Sequence, residues 1–335
     1  MKMGSSQNRF PLWNTLQKRA LALDALRQFF NAQGYLEIET RAMRATTATD
    51  PYIESFKTKW CGHSDDFYLQ TSPEYAHKIL LSKYRFPIYE VARVFRNEIH
   101  GALHRREFTL VEWYHPDTDY NDMMDETEAL VRCVAQSLGC SRFHSNAREN
   151  AIPIDVNAPF ERLTVAQAFE RYAGFSPICM DKTDLVKAAL QAGSRVSENW
   201  SWNDIMNCVL VDHVEPHLGM DHPVFLCDYP ASMASLAQLR HSPEGDVAER
   251  FELYICGIEL CNGYSELNDP VELRARFEED NQERLRLGLE TLPIDEELLK
   301  ALPKLGKLGG NALGFERLLM LCLALDDMAE VMIEV

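Results

Sequence analysis

The chain has 335 residues, enough to bury a large core as one big α/β domain or two modest ones. Its 34 Lys+Arg against 51 Asp+Glu leave a net charge of −17, which argues against a nucleic acid as obligate partner, because such binding draws its affinity from cations that neutralise phosphates. Nine cysteines without a CxxC pair indicate neither a disulfide framework nor a zinc site, and no apolar run has the length of a membrane span or the setting of a signal peptide, so a reduced, cytoplasmic compartment and no membrane are expected.

Residues 1–12 read as a flexible tail. Over 15–33, Leu16, Ala20, Leu23, Leu26, Phe29 and Phe30 recur at helical spacing and Gly34 stops the run. The segment YLEIET follows as a strand, and residues 66–71 suggest another. Ser72-Pro73-Glu74 opens a helix over 73–83, with proline at its first position. PIYEVARVFRNE and REFTLVEWYH read as strands joined by a turn around His100-Gly101, an antiparallel pair. From about 145 to 220 short helices without obvious chemistry suggest an insertion in the core. Strands resume at HPVFLCDYP and ERFELYICGIELCNGYSEL. Helices over 270–287 and 295–301 follow, and GGNALG then runs into the helix FERLLMLCLAL. One catalytic domain over 13–335 with an α+β antiparallel sheet flanked by helices is the economical reading.

Three clusters carry candidate chemistry. Phe95-Arg96-Asn97-Glu98 ends one strand, and Glu107-Phe108-Thr109 with Glu112-Trp113-Tyr114 lies on the next. Glu252 and Glu259 flank a hairpin bend at Gly257, before Asn262-Gly263-Tyr264-Ser265-Glu266. Gly309 to Arg317 joins a strand to a helix. Each alone has an ordinary explanation: a surface ion pair, solvated strand charges, core aromatics, a tight turn. Their order and spacing together are much harder to obtain by accident.

Taken together, the clusters resemble the class II aminoacyl-tRNA synthetase core and, within it, the lysyl branch. Arg96 to Tyr114 is similar to the second signature motif of that class, and Gly310 to Arg317 to the third. SPEYAHKILL at 72–81 and IELCNGYSELND at 258–269 look lysyl-specific. Nothing but the tail precedes the core, where lysyl-tRNA synthetases carry an anticodon-binding barrel. The Pro230–Gln238 stretch, PASMASLAQ, and Ala312 resemble the short elongation factor P–β-lysine ligase family, in which alanine replaces the synthetase glycine.

That resemblance implies ATP and Mg²⁺ as cofactors and residue roles as follows. Arg96 and Arg317 are the catalytic contacts to the α- and γ-phosphates, where a planar guanidinium that never deprotonates suits bidentate pairing. Glu98 and Phe108 take the adenine, with His104 also at the nucleotide, and Glu252 and Glu259 hold Mg²⁺ through hard oxygen ligands. Ser72, Glu74, Glu112, Tyr114, Asn262, Tyr264, Glu266 and Ala312 line the amino-acid pocket. Carboxylates there select an acid carrying two ammonium groups, β-lysine or lysine, and reject neutral side chains. The implied partner is elongation factor P, lysylated without tRNA, and the implied assembly is a homodimer.

Two positions depart from the pattern. Arg41 stands where the first class motif has its dimer-interface proline, and His104-Arg105-Arg106 replaces His-Asn-Pro. Arg105 either clamps ATP or marks a changed substrate. Two other functions compete: a free-standing lysyl-type adenylating enzyme serving tRNA or another acceptor, and a catalytically silent regulatory paralogue. Retention of the full phosphate-binding set weighs against the second.

Overall fold

The computed structural model describes residues 11–62, 64–145 and 152–333. Residues 1–10 of the expected tail lie outside them, and Pro11 already opens the first helix, α1 (Pro11–Ala32). Then come β1 (Leu36–Glu37), β2 (Met43–Arg44), β3 (Lys57–Lys59), β4 (Asp66–Leu69), α2 (Glu74–Leu81), β5 (Ile88–Phe95), β6 (Glu107–Pro116) and α3 (Tyr120–Ser137). The stretch expected as an insertion contains β8 (Ile154–Asp155), paired with β7 (Arg142–Phe143), then β9 (Glu161–Thr164), α4 (Val165–Tyr172), α5 (Lys182–Ala192) and α6 (Trp202–Val209). The chain continues through β10 (Val224–Pro230), β11 (Leu239–Ser242), β12 (Gly245–Ile255), β13 (Ile258–Ser265), α7 (Pro270–Arg286), α8 (Glu296–Ala301), β14 (Leu308–Gly314) and α9 (Phe315–Leu323).

One sheet organises the molecule. Its strand order is β1-β5-β6-β14-β13-β12-β10-β9, with β11 added beside β12. The central pairs are antiparallel, whereas β1 runs parallel to β5 and β9 parallel to β10. The 145–220 stretch therefore also supplies an edge strand of this sheet.

Side chains alternate between the two faces of a strand. On one face Val111, Trp113, Phe251, Leu253 and Leu313 meet Ala22, Leu26 and Phe30 of α1, Met123 to Ala135 of α3, and Phe315 to Leu321 of α9 in the largest core. The other face carries the polar partners of that alternation. It is bounded at one end by α2, α7 and α8, whose own core includes Tyr75, Leu273, Phe277 and Leu298. At the other end stand α4 to α6, packed on Leu163, Leu226 and Tyr254.

Local sequence accounts for the boundaries. Asp119 caps α3 through the amides of Asn121 and Asp122, and Thr164 and Ser201 make reciprocal capping boxes for α4 and α6. Pro73 sits one position earlier than expected, at the cap of α2 rather than inside it, and Ser72 Oγ accepts the Glu74 amide at 3.0 Å. Cys256 and Gly257 both have positive φ, 53° and 70°. That suits a two-residue turn matching the twist of the β12–β13 hairpin.

Candidate active site

A cavity of about 900 Å³ opens on the polar face of the sheet. Glu112 and Tyr114 on β6, Arg250 and Glu252 on β12, Asn262 and Tyr264 on β13, and Gly310 and Ala312 on β14 line it, each pair two residues apart. All fifteen residues singled out from sequence, from Ser72 to Arg317, border this one space.

Glu259 reaches it through an irregularity. Glu252 pairs with Asn262 and Leu253 with Cys261, but Tyr254 pairs with Glu259, so one residue of β13 is skipped. Leu260 and Cys261 consequently both enter the apolar core, and Glu259 turns to the side of Glu252. Strict alternation from Asn262 would have sent it the other way. Burial first, then the Glu252 charge, raises the Glu259 pKa to about 7 against the pull of Arg317. Two hard oxygen donors in mutual repulsion suit a divalent cation shared with phosphates. Glu252 is itself well held: Arg250 donates to one oxygen at 2.6 Å, and Tyr229 and Tyr254 donate to the other at 2.6 and 2.8 Å.

The phosphate end holds two arginines fixed by backbone. Arg317 Nε donates to the Leu103 carbonyl at 3.3 Å and Nη1 to the Glu259 carbonyl at 2.8 Å, while Nη2 lies 3.2 Å from His104 Nε2. Burial and the neighbouring Arg317 lower the His104 pKa, so the neutral ring accepts from that guanidinium. Arg96 lies over the Phe108 ring at 5.2 Å, and Nε reaches the Thr71 carbonyl at 3.4 Å. Glu98 is half-buried beside it. Arg105 borders the cavity too, and it also ties backbone together. It bonds the carbonyls of Gly101 and His104 and pairs with Asp327, tying the β5–β6 loop to the C-terminal turn.

The amino-acid end is a nest of buried carboxylates. Glu112 accepts from Ser72 Oγ at 2.7 Å and from Tyr114 OH at 2.8 Å. Glu74 accepts from Lys78 Nζ at 2.5 Å, and Glu266 Oε2 lies 2.6 Å from the same nitrogen. Burial raises the pKa of Glu74, and raises that of Glu266 to about 8. Asn262 Oδ1 is buried without a partner, an acceptor facing a site built for donors. Gly310 supplies the floor, where any Cβ would strike Glu266 and the Tyr114 ring.

Sequence reading missed several residues here. Lys78 follows Glu74 at the i,i+4 spacing of a helical ion pair, a signal that was available. Arg250 alternates with Glu252 on one strand. Ser201 at the cap of α6, with Asn203 and Asn207 within it, reach the cavity rim from the stretch that had shown no chemistry, and nothing local marks them.

Comparison with known proteins places this geometry. The family described as tRNA synthetases class II (D, K and N) matches residues 8–333. The elongation factor P–(R)-β-lysine ligase of Edwardsiella ictaluri (strain 93-146) is 40% identical over 336 residues, covering 98% of this chain and 97% of that protein. The protein of the same name from Salmonella paratyphi A (strain ATCC 9150 / SARB42) is 40% identical over 323 residues, covering 94% and 93%. With likeness of that depth along nearly its whole length, the chain belongs to the class II tRNA synthetases and, among them, to the elongation factor P–(R)-β-lysine ligase family.

Proposed function

We propose that this ATP-dependent ligase activates (R)-β-lysine as its adenylate and transfers it to a lysine side chain of elongation factor P, without tRNA. The observation that supports this most is one cavity with two backbone-fixed arginines at one end and buried carboxylates at the other. In the first step a carboxylate oxygen of the amino acid bonds to the ATP α-phosphorus and the bond to the β-phosphate breaks, releasing pyrophosphate. Arg96 and Arg317 stabilise charge on the phosphates, Glu98 and Phe108 take the adenine, and His104 holds Arg317 in register. Glu252 and Glu259 would hold Mg²⁺, which when bound would supply charge neutralisation along the phosphates.

At the other end, Glu74, Glu266 and Asn262 receive the two ammonium groups, with Ser72, Tyr114 and Tyr264 shaping the pocket and Glu112 anchoring Ser72 and Tyr114. In the second step the acceptor amine bonds to the acyl carbon, AMP leaves, and an adenylate phosphate oxygen takes the departing proton. A cytoplasmic homodimer is the proposed state. Nine unbridged cysteines support the compartment, and among the described residues no helix is long and apolar enough to cross a membrane. Intact-mass analysis of elongation factor P after incubation with the enzyme, ATP, Mg²⁺ and β-lysine tests the reading. A lysyl-sized gain is expected; robust adenylate formation without it refutes this acceptor.

A further inference from the structure

Two cations stand behind the amino-acid end of the cavity, and none of the roles above uses them. Lys78 and His77, neighbours on α2, are fully buried. Neither lines the cavity. Lys78 Nζ bridges Glu74 Oε1 at 2.5 Å and Glu266 Oε2 at 2.6 Å, the second an ion pair without the alignment of a hydrogen bond. His77 Nε2 lies 2.8 Å from Glu90 Oε2, and Nδ1 lies 3.6 Å from Glu112 Oε1. A buried ammonium is stable only where anions compensate it, and here α2 and the end of β13 supply one carboxylate each.

We propose that Lys78 and His77 are built-in counter-ions that leave the amino-acid end of the cavity with two more carboxylates than cations, and that Lys78 is a positioning residue holding Glu74 and Glu266 toward a ligand with two ammonium groups. The inference rests on the lysine-type reading of the site given above and adds to it how two charges are set. Four carboxylates converge there, the buried Glu90, Glu112 and Glu266 and the half-buried Glu74, against two buried cations. Two ammonium groups on one small acid complete the balance. A ligand with a single ammonium leaves a buried carboxylate unpaired and is rejected.

The groups facing this cluster are few. Tyr114 donates to Glu112 from β6, and Tyr264 of β13 feels its burial first, then Arg250 of β12, then Glu74 and Glu266; Arg250 is committed to Glu252 at 2.6 Å. Asp280 of α7 and Asp295 before α8 act on Tyr75 of α2, and Asp295 is itself paired with Arg44. None of these supplies a second cation to Glu266. Burial opposes the charge on Lys78, yet Glu266 and Glu74 raise its pKa, so it stays an ammonium. Burial opposes the charge on His77 as well, and Glu112 and Glu90 raise its pKa to about 9.

Lys78→Met is the test, read by ATP–pyrophosphate exchange with β-lysine between pH 6.5 and 9 and by calorimetric binding of lysine isomers. Without the ammonium the pKa of both Glu74 and Glu266 rises further, so at neutral pH the ligand must displace protons from both. The KM for the diamine acid is expected to rise ~10-fold or more at pH 7, with kcat changed far less. The ratio of variant to parent KM should narrow toward pH 9 as both carboxylates ionise. A packing role alone moves neither the KM nor its pH profile, and an unchanged or lower KM overturns the proposal. Should the single variant not fold, Lys78→Met in a Glu74→Gln, Glu266→Gln background removes the cation together with both of its anions. KM equal to that of the Glu74→Gln, Glu266→Gln protein supports action through the two carboxylates, and a further rise overturns it. A parent protein that neither binds nor activates any diamine acid refutes the functional reading, and this inference with it. An active parent with an indifferent Lys78→Met refutes this inference only.

Discussion

Glu259 and Arg317 meet twice: Arg317 Nη1 donates to the Glu259 carbonyl at 2.8 Å and lies 3.6 Å from the Glu259 carboxylate. A hairpin strand and the first turn of α9 thus hold the guanidinium in place before any nucleotide arrives. Little reorganisation is left for the reaction, the condition under which electrostatic stabilisation of a transition state is largest.

Arg96→Ala and Arg317→Ala should therefore each lower ATP–pyrophosphate exchange by ~100-fold or more, the usual scale for one lost transition-state contact. Circular dichroism establishes that the variants are folded. A folded Arg96→Ala protein with parental exchange would remove the assigned role.

Glu316 makes a structural prediction. Its fully buried carboxylate accepts from Arg19 at 2.8 Å and from the Thr109 amide at 2.9 Å, joining α1, β6 and α9. Glu316→Ala strands a cation and a buried amide, which should cost ~3–5 kcal/mol of stability. Urea denaturation measures it; a loss under about 1 kcal/mol, the range of an exposed pair, would show the network to be solvated.

Binding of the amino acid should release protons. Glu266 has its pKa raised to about 8 by burial, so near pH 7 the free protein holds this carboxyl largely protonated. An arriving ammonium favours the ionised form and displaces the proton. Affinity should accordingly tighten as pH rises from 6 to 8. Calorimetry at pH 7 in two buffers of different ionisation enthalpy counts the protons, and net uptake contradicts the sign.

Ala312 faces Glu112 on one side and Asn262 on the other. On the proposed reading its methyl takes room that an α-ammonium would use, whereas a β-amino acid carries that group one carbon further from its carboxylate. A methyl-scale change is worth roughly 1–3 kcal/mol, so Ala312→Gly should raise kcat/KM for α-lysine by ~10- to 200-fold and leave β-lysine use largely intact. An unaltered ratio between the isomers means that the residue does not gate them.

Arg41 is exposed at the position where the class has its interface proline. Light scattering at micromolar concentration is expected to give a dimer mass. A monomer would sink that assembly and single out Arg41→Pro as the variant to make.

By itself the sequence determined what is coded within a few residues. The alternation of Glu112 with Tyr114 and of Asn262 with Tyr264 already put those side chains on one face of their strands, because the period of a strand is two whatever its neighbours. Gly34 after α1 and the glycines before Phe315 marked boundaries for equally local reasons. Only the tertiary structure decided what depends on partners distant in sequence. The skipped residue that turns Glu259 toward Glu252 is a mismatch between two strands, invisible in either one. The bridge of Lys78 between Glu74 and Glu266 exists because folding encloses them away from water, where an ammonium must find anions or lose its charge. The rim residues of α6 owe their place to the packing of a helical segment against the sheet edge, which no spacing in the chain announces.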